Sequence, residues 1–304
     1  MKWVEVSVAV GGEAAEAVSA FLSRYGAVAV EEVRAGPSNG SSHEPAVTVR
    51  CYLEARRASK HRRAIEEGLW HLSQLLPVSS PAFRCLTERD WTDAWKDHFP
   101  VLHVGERIVI VPTWRQYQPR QGEVVVAVDP GLAFGTGLHP STQLCLSALE
   151  NYLRPGDRVL DVGTGTGILA IAAAKLGAGR VEAMDVEPAA VQAATDNVRI
   201  NGVGDRVSVS LASVIPVEAH DGPDPSIYRN GPHDLVLVNI IAEVIAEMAP
   251  VLLGLTRPGG IIIASGIILE REHLVLEAFT GKATVTMRSQ DGDWVALTLR
   301  VPAG

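Results

Sequence analysis

Cysteine is scarce in this chain: three among 304 residues, Cys51, Cys85 and Cys145, an odd number with no CxxC pair. That pattern predicts neither a disulfide framework nor a zinc knuckle, and it suits a reducing cytoplasm. A basic excess is missing as well. Lysine and arginine number 27 against 35 acidic residues, a formal charge of −8, whereas a phosphate-binding surface needs clustered cations. Direct nucleic-acid binding is therefore not expected, and a cationic partner is easier to accommodate. No apolar run approaches the roughly 20 residues needed to cross a bilayer. The greasiest stretch, residues 259–269, reads as a buried strand, and Glu5 interrupts the apolar start before it can serve as a secretory core. Glycine and proline form no tracts, and with 47% hydrophobic and 20% charged residues wholesale disorder is excluded.

What is present is a long alternation of strand and helix signals. A chain of 304 residues exceeds the roughly 100–200 typical of one domain, so two are expected. The first reads as strand Trp3–Val10, a helix over 13–25 with Ala17, Phe21 and Leu22 at helical spacing, and strand 27–33. A loop rich in Pro, Gly, Ser and Asn at 36–45 follows, and then strand 47–53, helix 60–76 and strand 82–87. This is the βαββαβ order of a ferredoxin-like α+β module, placed at 1–87. It holds no constellation of acids, bases or metal ligands, which points to binding or packing. Residues 88–105 read as a connector in which Trp91 and Trp95, four apart, share one helix face. They are taken as an interdomain strut, with stacking on a cofactor as the alternative.

Strand signals at Ile108–Pro112 and Val124–Val128 open a second domain, 106–304. Helices are expected at 141–152, Ile168–Leu176, 188–201, 242–253 and 270–280, between strands Arg158–Val162, Arg180–Asp185, 207–211, 234–238 and 260–264. Two last strands, 283–289 and 294–301, have no helix between them. The alternation predicts a doubly wound, mostly parallel sheet covered on both faces, with a terminal hairpin adding an antiparallel edge. One loop-like insertion, residues 220–233, interrupts it.

The chemistry sits at Asp161-Val162-Gly163-Thr164-Gly165-Thr166-Gly167, between a strand and a helix. Glycines such as Gly163 and Gly165 let backbone turn tightly against a ligand, while the helix start offers unpaired N–H donors. The spacing is G-x-G-x-G rather than the G-x-G-x-x-G of dinucleotide sites, which favours a ligand without a pyrophosphate. Asp185 ends the next strand, 22 positions after Gly163, where an acid in this fold reaches two ribose hydroxyls. Glu187 competes for that role or is a solvated residue in the first turn of a helix. Asp161 either contacts a cofactor amino group or ties down backbone N–H groups. Asn239 follows a strand at the carboxyl edge, where its amide oxygen can accept from an amine or from a cofactor's amino-acid end; a helix N-cap is the alternative. His139, beside Pro140, reads as a loop-fixing residue, with a general base as the minor alternative.

Asp129-Pro130-Gly131-Leu132-Ala133-Phe134-Gly135-Thr136-Gly137-Leu138-His139-Pro140-Ser141-Thr142, with Asp161 to Gly167 and Asn239-Ile240-Ile241-Ala242, resembles the PrmA family, the ribosomal protein L11 methyltransferases. The likeness extends to Trp3-Val4-Glu5-Val6, Gly26-Ala27, Asp90-Trp91 and Trp95-Lys96, nearly the whole chain. It implies a ferredoxin-like module that recognises the ribosomal protein, free or on the large subunit, a flexible connector, and a class I S-adenosylmethionine-dependent methyltransferase domain. Lysine ε-amino groups and the N-terminal α-amino group are the implied acceptors. The family's cofactor contacts fall on Thr142, Gly163, Asp185 and Asn239, with Phe134 lining the same pocket and Asn239 also orienting the acceptor. No metal is implied, and a cytoplasmic monomer is expected. Leu138 and Ser141 stand where many members carry Thr, and Ile241 where Leu is usual. The absence of Pro-Pro-Tyr after Asn239 disfavours amide and adenine amino groups as acceptors. Rival readings keep the cofactor but take a small-molecule amine or an RNA base, or keep the fold as a non-catalytic ribosome-associated module. The basic stretch 56–63 is the single candidate for an RNA-facing surface, and it reads as a solvated helix turn.

Overall fold

The computed structural model describes residues 3–10, 14, 18–19, 21–22, 25–32, 47–74, 76–86, 99–129, 137–216, 226–228 and 230–303. The chain divides into two units, Met1–Phe99 and Pro100–Gly304.

In the first unit a period of two along β1 (Trp3–Val10) turns Val4, Val6, Val8 and Val10 to the same side, and all four are buried. β1 lies between β3 (Val47–Glu54) and β4 (Ala82–Leu86), and β2 (Ala27–Glu32) pairs with β3, so the antiparallel order is β2-β3-β1-β4. Ala14, Val18 and Leu22 are helical and buried, and with Ala58, Ile65 and Leu69 of α1 (Ala55–Ser73) they cover the apolar face of this sheet. The opposite face of α1 is solvated: Arg62 and Arg63, from the basic stretch, pair with Glu66 and Glu67 one turn on at 2.9 and 2.7 Å. α1 begins five residues ahead of the expected start at 60, because 55–59 continue directly from β3 with no glycine or proline to break them.

The second unit carries an eight-stranded sheet in the order β11-β10-β9-β8-β12-β13-β15-β14. Its central members are β8 (Arg158–Val162), β9 (Arg180–Asp185), β10 (Val207–Ser213), β12 (His233–Asn239) and β13 (Thr256–Ile268), all parallel. Helices α2 (Pro140–Tyr152), α3 (Ile168–Leu176) and α4 (Pro188–Ile200) contribute to one core, and α5 (Ala242–Leu255) and α6 (Glu272–Phe279) to the other. This is the α/β architecture of a class I methyltransferase-like domain.

The closing hairpin, β14 (Thr284–Asp291) and β15 (Trp294–Arg300), adds the expected antiparallel edge: β15 lies beside β13, antiparallel to both neighbours, and β14 is outermost. Burial explains the choice: Val295 to Leu299 are all buried, whereas β14 is largely exposed and polar, so the greasier strand takes the inner position. The insertion at 220–233 is not loop alone. Its described part contributes β11 (Ser226–Ile227), parallel to β10, and buries Tyr228, whose hydroxyl donates to Glu182 and lies 3.2 Å from His233 Nε2. Glu182 is also faced by Arg158 and Arg180 at 3.7 and 3.1 Å. Finally, Leu102–Val104, within the expected connector, forms β5, too short to show a period. It pairs antiparallel with β6 (Ile108–Pro112), which runs parallel to β7 (Val124–Val128).

Candidate functional site

Parallel strands bring the ends of β8, β9 and β12 to one edge, and the glycine turn follows β8 directly. Gly163, Gly165 and Gly167 have φ of +72°, +55° and +81°, a region closed to most side chains, which is why the turn repeats glycine at alternate positions. Space is also short: a Cβ on Gly163 would lie 2.7 Å from Ile240 Cγ2. The N–H groups of Gly163 and Thr164 donate to Met184 O at 3.0 and 2.9 Å, locking the turn onto β9. Gly167 stands at the N-cap of α3 without a side-chain bond.

Asp185 stands against this turn. Gly165 N–H donates to its Oδ2 at 2.9 Å and Glu187 N–H to its Oδ1 at 3.0 Å, which fixes the half-buried carboxylate and leaves further lone pairs on each oxygen. Glu187 itself is exposed, occupies the N-cap of α4 and makes no capping bond.

Asp161 is fully buried, and its Oδ2 accepts from Thr164 Oγ1 at 2.6 Å. Burial pushes its carboxyl up to about 7, partly offset by that hydroxyl and by a backbone bond at Ala170. Its Oδ1 has no partner among the described residues. Asn239, two residues past the position that pairs with Asp161, donates from Nδ2 to the buried Thr142 Oγ1 at 3.3 Å, and its Oδ1 is likewise buried and unpartnered among the described residues. The N-cap alternative for Asn239 does not hold, because Ile241 occupies that position of α5. Between them Ile240 is wedged: a Cβ on Gly163 would strike its side chain, and one on Gly266 would lie 2.5 Å from its carbonyl oxygen. Ile241 is turned outward and is 61% exposed, and Val186, after Asp185, is exposed as well.

His139 caps α2. Its Nδ1 accepts from Ser141 N–H at 3.3 Å and lies 2.7 Å from Ser141 Oγ, its ring meets Trp294 edge-on at 4.3 Å, and burial lowers its pKa. Thr142, Asp161, Gly163, Gly165, Asp185 and Asn239 thus converge at one edge. Phe134, with the rest of 130–136, lies outside the described residues, as do Trp91 and Trp95. Asn197, buried on α4 and bonded to Thr166 O at 3.0 Å, is not among the residues that the motifs single out. The available signal was a second asparagine, Asn201, one turn later on a helix face otherwise occupied by small or apolar residues.

Two buried acceptors without donors call for a ligand rich in N–H, such as an alkylammonium or amine. A fixed carboxylate beside a glycine turn suits a vicinal diol. No cluster of three or more metal-ligating side chains occurs among the described residues.

The family model described as ribosomal protein L11 methyltransferase (PrmA) matches residues 2–302. A protein of that name from Chloroflexus aurantiacus is 45% identical, the match covering 99% of this chain and 98% of the relative. Another, from Herpetosiphon aurantiacus, is 42% identical over 99% of this chain and 100% of the relative. Among solved structures, the ribosomal protein L11 methylase of Lactobacillus delbrueckii subsp. bulgaricus superposes with a TM-score of 0.59 and 32% identity, covering 66% of this chain and 98% of that one.

Proposed function

Because this chain belongs to the ribosomal protein L11 methyltransferase (PrmA) family, we propose that it methylates lysine ε-amino groups and the N-terminal α-amino group of ribosomal protein L11. The enzyme is an S-adenosylmethionine-dependent protein methyltransferase. The observation that carries the choice of acceptor is Asn239 Oδ1, buried and without a donor at the carboxyl edge of β12.

The residues present fit the cofactor. Asp185 would take the ribose hydroxyls, the glycine turn at Gly163 and Gly165 would lie against the nucleoside, and the orphaned Asp161 Oδ1 suits the donor-rich amino-acid end. Thr142 orients the Asn239 amide through its hydroxyl, so that Nδ2 is occupied and the buried Oδ1 is left to accept. When bound, S-adenosylmethionine supplies a methyl carbon made electrophilic by its sulfonium.

The chain's task is to present a neutral amine along the line of displacement and to keep water away. A lysine with a pKa near 10.4 must lose its proton, which at pH 7 costs about 4.6 kcal/mol over about 3.4 units. Asn239 Oδ1 can accept one amine N–H and so aim the lone pair, while the exposed apolar side chains of Ile241 and Val186 cover the methylene stem and dehydrate the nitrogen. A dedicated base is unnecessary in this scheme, and His139 is committed to capping α2 and to its edge-on contact with Trp294.

The N-terminal unit is read as a ferredoxin-like recognition module over 1–87, joined by a connector that starts at 88 to the catalytic domain, which the pairing of β5 with β6 extends forward from 106 to include Leu102–Val104. The antiparallel order β2-β3-β1-β4, with helical segments on one face, supports that reading. The ion pairs at Arg62 and Arg63 argue against an RNA-facing surface there. A cytoplasmic monomer acting on L11, free or within the large subunit, without direct nucleic-acid contact, is part of the same proposal. No helix among the described residues is long and apolar enough to cross a membrane. Mass spectrometry of purified ribosomal proteins after incubation with the enzyme and labelled cofactor tests the assignment. A mass shift on L11 alone is expected; a shift on another protein, or on none, refutes it.

A further inference from the structure

β7 is the outer strand of its three-stranded sheet, so one row of its backbone groups has no strand to pair with among the described residues. Side chains from two helices take that row at alternate positions. Lys175 Nζ on α3 donates to Val125 O at 2.6 Å. Asn201, the C-cap residue of α4, accepts from Ala127 N–H at 2.9 Å and donates to Ala127 O at 2.6 Å. Asn197, one turn earlier, accepts from Asp129 N–H at 2.9 Å and donates to Asp129 O at 3.1 Å. The periods agree: alternate strand residues are about 6.6 Å apart and residues four apart on a helix about 6 Å, so two asparagine amides can imitate a neighbouring strand.

Asn197 does more than finish this ladder. Its Nδ2 also donates to Thr166 O at 3.0 Å, inside the glycine turn, and the residue is 1% exposed. One amide therefore joins the glycine turn to Asp129, the first residue of the 129–142 stretch that carries the family resemblance.

We propose that Asn197 is a positioning residue for the methyl donor, holding the glycine turn in register with the chain that β7 delivers beside it. The inference rests on the reading of that turn as the S-adenosylmethionine site. Asn201 provides an internal control, because it makes the same two bonds to the same strand while its remaining bond goes to Asn197 O on its own helix.

The test uses the full chain and S-adenosylhomocysteine as probe, comparing Asn197→Ala with Asn201→Ala by calorimetry at low temperature, alongside Tm and steady-state kinetics. Both variants should lose a similar amount of thermal stability. Only Asn197→Ala should weaken S-adenosylhomocysteine roughly tenfold or more and raise the KM for the donor in parallel, with kcat changed less than about threefold. Equal affinities in the two variants would overturn the proposal and leave Asn197 a purely structural residue. Should Asn197→Ala fail to fold, Asn197→Asp keeps an acceptor for Asp129 N–H, removes both donors and reads the same contrast. A native enzyme that does not bind the probe would overturn the cofactor reading itself, and this inference with it.

Discussion

Replacing Asp161 by asparagine should make the protein more stable at neutral pH while weakening its cofactor site. Burial lifts the Asp161 carboxyl from 3.8 to about 7, with the Asp185 carboxylate adding a smaller push in the same direction. Below pH 4 the folded and unfolded chains both carry the proton, and the residue costs nothing. Between pH 4 and 7 the unfolded chain releases it while the folded chain retains it, so stability falls as pH rises through that window; above 7 both are ionised and the loss is complete. A shift of about three units at about 1.36 kcal/mol each amounts to on the order of 4 kcal/mol. Asp161→Asn keeps an oxygen for the Thr164 hydroxyl and abolishes the titration. Urea unfolding of both proteins at pH 4.5, 6 and 8 should show a gap of about 1 kcal/mol at the lowest pH that widens to a few kcal/mol in favour of the variant, roughly 10 °C in Tm at pH 8. At pH 8 the variant should bind S-adenosylhomocysteine more weakly, since an amide NH2 can replace the acceptor that the ligand's ammonium would meet. A gap independent of pH, or a native protein more stable than the variant at pH 8, would refute the claim that an orphaned, buried carboxylate is retained for the ligand.

Asp185→Ala is expected to reduce cofactor affinity by a factor of 100 or more, on the order of 3 kcal/mol for charge-assisted bonds to two hydroxyls, with circular dichroism unchanged; undiminished affinity by calorimetry would remove Asp185 from the pocket. Gly163→Ala combines φ of +72° with a Cβ 2.7 Å from Ile240 Cγ2, so both cofactor affinity and Tm should drop, and a variant with native values would show that the turn tolerates a side chain. Ile241→Ser removes an exposed side chain, so Tm should move little while the KM for L11 rises several-fold; an unchanged KM would mean that the acceptor stem runs elsewhere. Deleting residues 1–87 should spare S-adenosylhomocysteine binding and abolish L11 methylation, and full methylation by the shortened protein would end the recognition role of the first unit.

Much of the site could be read from residues alone, because local geometry dictated them. Positive φ at Gly163, Gly165 and Gly167 excludes most other residues, so the turn announces itself as a glycine pattern. Asp185 was legible because it ends a short strand whose length and spacing from the turn follow from the αβ repeat. Asn239 stands at the expected strand end, yet its alternative role as a helix cap falls to Ile241, a matter of two residues of backbone that composition does not encode. His139 was assigned to the loop, and its capping bond and its contact with Trp294, 155 positions away, belong to tertiary structure.

The sequence by itself determined the alternation of strands and helices, the glycine turn and its acidic partner, since each depends on neighbours within about one αβ unit. Only the tertiary structure decided which strand of the final hairpin took the inner position, how the described part of the 220–233 insertion became an edge strand with a buried tyrosine, and how Asn197 and Asn201 came to pair with β7. Those choices compare partners tens of residues apart, where burying the more apolar strand or satisfying an open backbone edge selects among arrangements that local periodicity leaves equal. Even the two orphaned oxygens of Asp161 and Asn239 are invisible in one dimension, because the lack of a partner is a property of the space around an atom.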